Sequence, residues 1–180
     1  MMAALFEKQS MPFYRFGENI YLNKIPLNDW IIFIRERFES TGKHISAELA
    51  NRVASTVECH SYYVQQLSHL IWQRTYTHAD DVIFEHAYND LLSQNEILYQ
   101  RETELLSETQ LHFMKAIANG VTGNFNSKNV MSEYKIGTSA NISKIKKALR
   151  EKEVVEFTGK KADFADPVYK LWFKKEILKK

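Results

Sequence analysis

Apolar residues recur at helical spacing through the first 106 residues of the chain. One run extends from residue 27 to about residue 40, in which Trp30, Ile31, Ile34 and Phe38 recur at helical spacing. Three further runs predict helices around residues 45–53, 62–72 and 82–99. Since 6 glycines and 3 prolines leave few breaks in the chain, the pattern favours helices over a many-turned β-fold.

The sequence also predicts which residues cap the two ends of the first of these helices. Asn28 or Asp29 can cap its N-terminus, and Gly42 lies where the C-terminus of a helix favours a left-handed residue. Before this helix, residues 1–16 predict a truncated helix and residues 20–22 a short strand.

Residues 107–152 predict three helices in a different arrangement. Ser107-Glu108-Thr109-Gln110 matches a capping box, which starts a helix that ends at Gly120. A short helix is expected for about residues 127–135. After a tight turn at residues 136–138, Ser139 can cap a third helix that runs to about residue 152 and buries Ile142, Ile145 and Leu149.

Two short segments of alternating pattern follow, and they predict a β-hairpin around Gly159 and Lys160. Asp166 and Pro167 then fit the cap and the first position of a final helix. Helix, helix, glycine-containing turn, helix and hairpin is the order of a winged helix. The fold class predicted for the chain is therefore mainly α, with a helical domain followed by a winged-helix domain.

The third helix of a winged helix can lie in the major groove of DNA. Asparagine can pair with adenine through two hydrogen bonds, whereas lysines mostly contact phosphate. The candidate DNA-binding residues are Ser139, Asn141, Ser143, Lys144 and Lys147 on this helix, and Lys160 and Lys161 at the tip of the wing. A winged helix that binds a protein, or that packs against a neighbouring domain, is the alternative.

Composition and charge narrow the class of protein. A single cysteine excludes an internal disulfide framework and suits a reducing cytoplasm, where we expect the protein to reside. Neither a secretory signal nor an apolar run of the roughly 18–20 residues that span a membrane is found. Residues 1–106 carry a net charge of −5 and residues 107–180 one of +7. This asymmetry indicates either a second module attracted to a polyanion or an ordinary lysine-rich surface.

Motifs in this order resemble the archaeal-type AAA+ ATPases, P-loop proteins of archaea and bacteria that are related to origin-recognition and STAND ATPases. Pro12-Phe13-Tyr14-Arg15, Ile20-Tyr21-Leu22 and the helix that ends in Arg35-Glu36-Arg37-Phe38 resemble the end of the ATPase core and the first lid helix. Cys59-His60-Ser61-Tyr62-Tyr63 resembles the Gly-His-Pro-Tyr-Tyr lid motif but differs at Cys59 and Ser61. Phe164-Ala165-Asp166-Pro167, with Trp172, resembles the Phe-x-Asp-Pro-x-x-x-x-Trp ending of the C-terminal winged helix.

The resemblance implies three parts, namely the edge of an ATPase core (residues 1–26), a helical lid domain (27–106) and a winged-helix domain (107–180). It places His60, Ser61 and Tyr62 nearest to a bound nucleotide, and it makes Arg52 or Arg74 a candidate sensor arginine. The alternative for the aromatic residues of this motif is that they are ordinary core residues.

The chain has no P-loop, which would read Gly-x-x-x-x-Gly-Lys-Ser/Thr. Its two Gly-Lys pairs, Gly42-Lys43 and Gly159-Lys160, are not followed by serine or threonine. We therefore expect no catalytic residues and no ATP hydrolysis by this chain alone, with ATP and Mg²⁺ implied only for a full-length protein. The histidines lack the spacing of paired ligands on a helix, so no metal site is expected.

Two functions remain open at this point. The first is a non-catalytic C-terminal fragment of an AAA+ ATPase, which couples the nucleotide state of an upstream P-loop core to a winged helix that binds DNA or a protein partner. The second is a free-standing winged-helix transcriptional regulator that binds DNA and carries a helical partner-binding domain.

Overall fold

The structure, a computed structural model, describes residues 23–178 and is mainly helical. The first half comprises α1 (Leu27–Glu39), α2 (Ala47–Thr56), α3 (Ser61–Arg74), α4 (Asp81–Gln94) and α5 (Glu96–Glu104). The second half comprises α6 (Glu108–Ala118), α7 (Lys128–Glu133), α8 (Ser139–Glu151), β1 (Val155–Thr158), β2 (Lys161–Phe164) and α9 (Pro167–Glu176). The helix and the strand predicted before residue 23 lie outside the described residues.

The first predicted helix is confirmed as α1, but its predicted cap is wrong. Trp30, Ile34 and Phe38 are buried on one face, as their spacing requires. Pro26 occupies the N-cap position and its carbonyl oxygen accepts a hydrogen bond from the Trp30 amide, so Asn28 and Asp29 already lie inside the helix. The proline ring fixes φ, here at −59°, and Pro26 makes no side-chain capping hydrogen bond.

The helix predicted over residues 82–99 is interrupted at Asn95, which ends α4 and begins α5. The Asn95 side-chain amide donates a hydrogen bond to the Leu91 carbonyl oxygen at 3.2 Å. Asparagine competes in this way with the backbone hydrogen bonds of a continuous helix. The break puts Tyr99, which is buried, on a separate helix.

The predicted winged-helix elements are present. The capping box of α6 is confirmed, with the Ser107 amide donating to Gln110 Oε1 at 3.1 Å. The prediction that Ser139 caps α8 is wrong by one residue. Thr138 takes the N-cap position, and its carbonyl oxygen accepts hydrogen bonds from the Asn141 and Ile142 amides. Thr138 itself makes no side-chain capping bond.

The predicted β-hairpin is confirmed as an antiparallel pair, in which Val155 lies opposite Phe164 and Thr158 opposite Lys161. Gly159 has a φ of +60° in the two-residue turn, a conformation that favours glycine. The Ala162 amide donates to the Thr122 carbonyl oxygen at 2.8 Å, which ties the hairpin to the loop after α6.

The two halves of the described chain share one hydrophobic core. Helix α9 packs against α4 and α5 of the first half and against α6 and β2 of the second. The C-terminal helix therefore lies at the junction of the two halves. No helix within residues 23–178 is both long and apolar enough to cross a membrane.

Candidate functional site

The exposed face of α8 carries the candidate DNA-binding residues predicted for this helix. Ile142, Ile145 and Leu149 are buried against the rest of the domain, which turns the opposite face of the helix to solvent. The candidates on this helix are all exposed, namely Ser139, Asn141, Ser143, Lys144 and Lys147. Lys147 lies 3.9 Å from Glu151, but both side chains are so exposed that this pair contributes little.

The wing presents two more of the predicted cations. Lys160 lies in the turn of the hairpin and Lys161 begins β2, and both are exposed. Within residues 23–178, neither these lysines nor Lys144 forms an ion pair with a carboxylate. The two elements thus present positive charge that the described part of the protein does not neutralise.

An aromatic side chain of the wing, which the sequence analysis did not single out, holds the wing beside α8. The Arg150 guanidinium lies 5.0 Å from the centroid of the Phe157 ring, and the Lys146 ammonium lies 6.0 Å from the same centroid. Lys146 also lies 5.2 Å from the Phe125 ring. Cation–π attraction of this kind is worth about 0.5–1 kcal/mol at an exposed site. It directs two cations of α8 towards the hairpin.

The three candidate nucleotide-facing residues lie together at the start of α3. Ser61 and Tyr62 are exposed, and Tyr62 retains 62% of its accessible surface. His60 is partly buried, its ring centroid 4.9 Å from that of Tyr63. Its Nδ1 atom is buried and has no hydrogen-bond partner among residues 23–178. Two of the three candidates are therefore accessible to a ligand or a neighbouring domain, and the third packs inwards.

The loop before α3 has an unusual backbone. Cys59 has a φ of +54°, in the left-handed region that costs a non-glycine residue roughly 1–2 kcal/mol. This is the position at which the motif it resembles has glycine. The loop thus has the left-handed backbone conformation that glycine favours, at a residue that is not glycine.

A hydrogen-bond network joins this region to the winged helix. The Tyr63 hydroxyl donates to Asp166 Oδ2 at 2.5 Å, and the Tyr99 hydroxyl donates to the same oxygen at 3.1 Å. The other carboxylate oxygen of Asp166 caps α9, accepting from the amides of Val168 and Tyr169. One carboxylate thus connects α3, α5 and α9.

The environment of this network keeps its hydroxyl groups protonated. Burial, together with the hydrogen bond to Asp166, raises the pKa of Tyr63 well above its ordinary value. The pKa of Tyr99 is raised as well, first by burial and then by the hydrogen bond to Tyr63 and the charge of Asp166. Burial also raises the pKa of Glu102, and the charge of Asp166 adds to the effect.

A second contact crosses the same junction. The Lys170 ammonium on α9 donates to Glu58 Oε1 at 2.8 Å and to Asp163 of β2 at 2.9 Å. Burial lowers the pKa of Lys170, but hydrogen bonds and charges from the two carboxylates outweigh it, and the net pKa is raised. Lys170 therefore links the loop before α3 to the wing.

Both candidate sensor arginines are engaged by carboxylates within the helical half. Arg52 donates to Asp81 and Glu85, and Arg74 donates to Asp90. Among residues 23–178, no group of three or more histidine, cysteine or acidic side chains could hold a metal ion.

Comparison with known protein families gives a match that covers the C-terminal part of the chain from α5 onwards. Residues 97–175 match a family model described as a probable winged helix domain. No curated protein and no solved structure gives a significant match. The matched residues begin within α5 and end within α9, so they include both Tyr99 and Asp166. Family model, helix order and hairpin agree that the chain contains a winged-helix domain.

Proposed function

We propose that the chain is a non-catalytic coupling unit, in which a helical lid-like domain controls the position of a winged helix that binds duplex DNA. The observation that carries this proposal is the junction at Asp166. The hydroxyl of Tyr63, at the start of α3, donates to Asp166, which caps α9, so a displacement of α3 would act on α9 through this hydrogen bond.

Few residues separate the exposed start of α3 from the cap of α9. Tyr62 is exposed, and its ring centroid lies 5.1 Å from that of Tyr63, which bonds to Asp166. A group that binds at Tyr62 would act on Tyr63 directly, and Lys170 provides a parallel link through Glu58. In the AAA+ interpretation that group is a nucleotide on an upstream P-loop core, facing His60, Ser61 and Tyr62. ATP and Mg²⁺ would then be held by that core.

DNA binding is proposed from the unneutralised cations of α8 and the wing. Binding of a fluorescein-labelled duplex, measured by anisotropy at 50 and 200 mM salt, tests this part of the proposal. We expect the affinity to fall steeply with salt, and the double variant Lys144→Glu/Lys147→Glu to reduce the slope by about two phosphate contacts.

The matched control is Lys174→Glu, which changes an exposed lysine of α9, the helix that packs against α4 and α5. We expect this control to weaken binding much less than the single substitution Lys144→Glu, measured in the same assay. Binding that is undetectable, or that the two α8 substitutions leave unchanged, would show that the winged helix faces a protein instead.

A free-standing regulator of transcription is the second candidate. The pairing of Arg52 and Arg74 with carboxylates favours it, since a nucleotide would have to displace those carboxylates to pair with either guanidinium group. The genomic sequence upstream of the Met1 codon separates the two candidates. An in-frame P-loop supports the ATPase fragment, whereas a ribosome-binding site directly before Met1 supports the regulator.

A further inference from the structure

The wing has an inner apolar face that ends at Phe157. Val155 on β1 and Ala162 and Phe164 on β2 are buried, and they alternate with side chains that are more exposed. Phe157 lies opposite Ala162 and is half-buried, which makes it the last inward-facing side chain before the turn at residues 159–160. The lysines at the tip of the wing lie beyond this contact, so their position depends on it.

Two cations of α8 hold Phe157 from one side. The Arg150 guanidinium and the Lys146 ammonium lie 5.0 Å and 6.0 Å from the centroid of its ring. Residues four apart in a helix share one side, so this pair forms the flank of α8 that faces the wing. Lys146 also lies 5.2 Å from the ring of Phe125, which is buried and stacks on Phe113 with ring centroids 4.3 Å apart. Cation–π attraction therefore joins the wing to α8 and to the core beneath the loop at residues 121–126.

The loop between α6 and α7 holds the other edge of the wing. The Thr122 carbonyl oxygen accepts a hydrogen bond of 2.8 Å from the Ala162 amide. A Cβ atom at Gly123 would lie 3.4 Å from the Lys160 carbonyl oxygen, so the turn of the wing rests directly against this glycine. A two-stranded hairpin is marginally stable by itself in water, and these contacts on both sides supply the packing that it needs.

The fixed wing holds its charges beside those of α8. Within residues 23–178, Lys144 on the helix and Lys160 and Lys161 on the wing form no ion pair with a carboxylate. A polyanion that contacts both elements is bound more tightly if they are held in place beforehand, because ordering a mobile segment on binding costs conformational entropy. We propose that Phe157 is a positioning residue, which holds the wing against α8 so that both elements contact one DNA duplex together. The inference rests on the proposed function, which supplies the duplex.

NMR relaxation of the backbone amides of the full chain, without DNA, tests whether Phe157 fixes the wing. We expect order parameters of about 0.85 at residues 159–161 in the wild type, and values that fall towards about 0.6 in Phe157→Leu. Leucine keeps an apolar side chain but lacks the ring that attracts the cations. Phe157→Tyr keeps the ring and should give wild-type values. The matched control is Phe33→Leu, which removes a similar contact with Arg37, at 5.1 Å, in the helical half. It should leave the wing unchanged.

The binding of a fluorescein-labelled duplex tests whether this position serves DNA. The measured quantity is the slope of the logarithm of the affinity against the logarithm of the salt concentration. In the wild type, Lys160→Ala/Lys161→Ala should reduce this slope by about two phosphate contacts. In the Phe157→Leu background, the same pair should reduce it by less than about one, and the Phe157→Tyr background should restore the full effect. Lys144→Ala/Lys147→Ala should keep its effect in every background, because α8 does not depend on the wing for its position.

Gly123 supplies a second variant, which replaces Phe157→Leu if circular dichroism shows that the latter unfolds. The backbone of Gly123 is not left-handed, so a side chain can be added without strain. Gly123→Val adds methyl groups beyond a Cβ position already in contact with the Lys160 carbonyl oxygen, and it should displace the turn. Gly123→Ala is its control, since a Cβ atom at 3.4 Å makes an ordinary van der Waals contact. We expect valine, but not alanine, to reduce the effect of the two wing substitutions on the slope.

Two results would overturn the positioning role of Phe157 and leave the proposed function intact. The first is a set of order parameters that Phe157→Leu leaves unchanged. The second is a pair of wing substitutions that acts equally in every background, or in none, while the α8 pair retains its effect. Absence of duplex binding by the wild type would refute the proposed function and this inference together. The relaxation data need no DNA, so they would still show whether Phe157 fixes the wing.

Discussion

Replacing Asp166 by alanine tests the junction most directly. The substitution removes the N-cap of α9, which costs roughly 0.5–2 kcal/mol. It also deprives the hydroxyls of Tyr63 and Tyr99 of their shared acceptor. These hydroxyls lie 3.3 Å apart and can still bond to each other, so one buried donor stays unpaired, at a cost of about 1–3 kcal/mol. Asp166→Ala should therefore lower the free energy of unfolding by roughly 2–4 kcal/mol.

The matched control is Asp80, which caps α4 through a hydrogen bond of 2.8 Å from the Ile83 amide and takes no part in the network at the junction. Asp80→Ala should cost only about 1 kcal/mol. Asp166→Asn should be milder than Asp166→Ala, since asparagine caps helices as well as aspartate does. Urea unfolding, followed by circular dichroism, gives all three values. If Asp166→Ala costs no more than Asp80→Ala, the network contributes nothing and the coupling argument is wrong.

Three further outcomes concern the same junction. Because the pKa of Tyr99 is raised in the folded state, its protonated hydroxyl stabilises the fold fully below about pH 10, and this stabilisation is lost as the pH rises further. Between about pH 9 and 11 the free energy of unfolding, measured with urea, should therefore fall less steeply for Tyr99→Phe than for the wild type. Lys170→Met should cost about 1 kcal/mol, because Glu58 and Asp163 lose their shared cation but remain nearly half exposed to water, and Lys174→Met on the exposed side of α9 should cost less than about 0.5 kcal/mol, as measured by thermal unfolding. The raised pKa of Glu102 means that its ionised form is disfavoured on folding, so Glu102→Gln should stabilise the protein at pH 7 by less than about 1 kcal/mol and lose this advantage near pH 4.

The sequence by itself determined the elements whose signals are local. The helical spacing of apolar residues predicted the buried face of α1, where Ile31 is only partly buried, and the spacing of Ile142, Ile145 and Leu149 predicted that of α8. The predictions of the capping box of α6 and of the glycine turn of the wing are also confirmed. Interactions of this kind join residues only a few positions apart, so the order of residues is enough to reveal them.

The exposed candidates on α8 and the wing followed from the same local pattern, because a residue opposite a buried stripe faces solvent. Their contact with DNA stays a prediction. The cap at Pro26 and the break at Asn95 were missed, since several polar residues near each helix end could have served and the surrounding packing selected one of them.

Only the tertiary structure decided which distant residues meet. Tyr63 and Asp166 are 103 positions apart, and no local pattern pairs them. Each of the two residues belongs to a motif in the sequence, but neither motif predicts that the two side chains are in contact. The engagement of Arg52 by Asp81 and the contact of Arg150 with Phe157 likewise depend on how the helices and the hairpin pack. The periodic pattern sets which face of an element is buried, whereas the partner on the other side of the core is set by the fold as a whole.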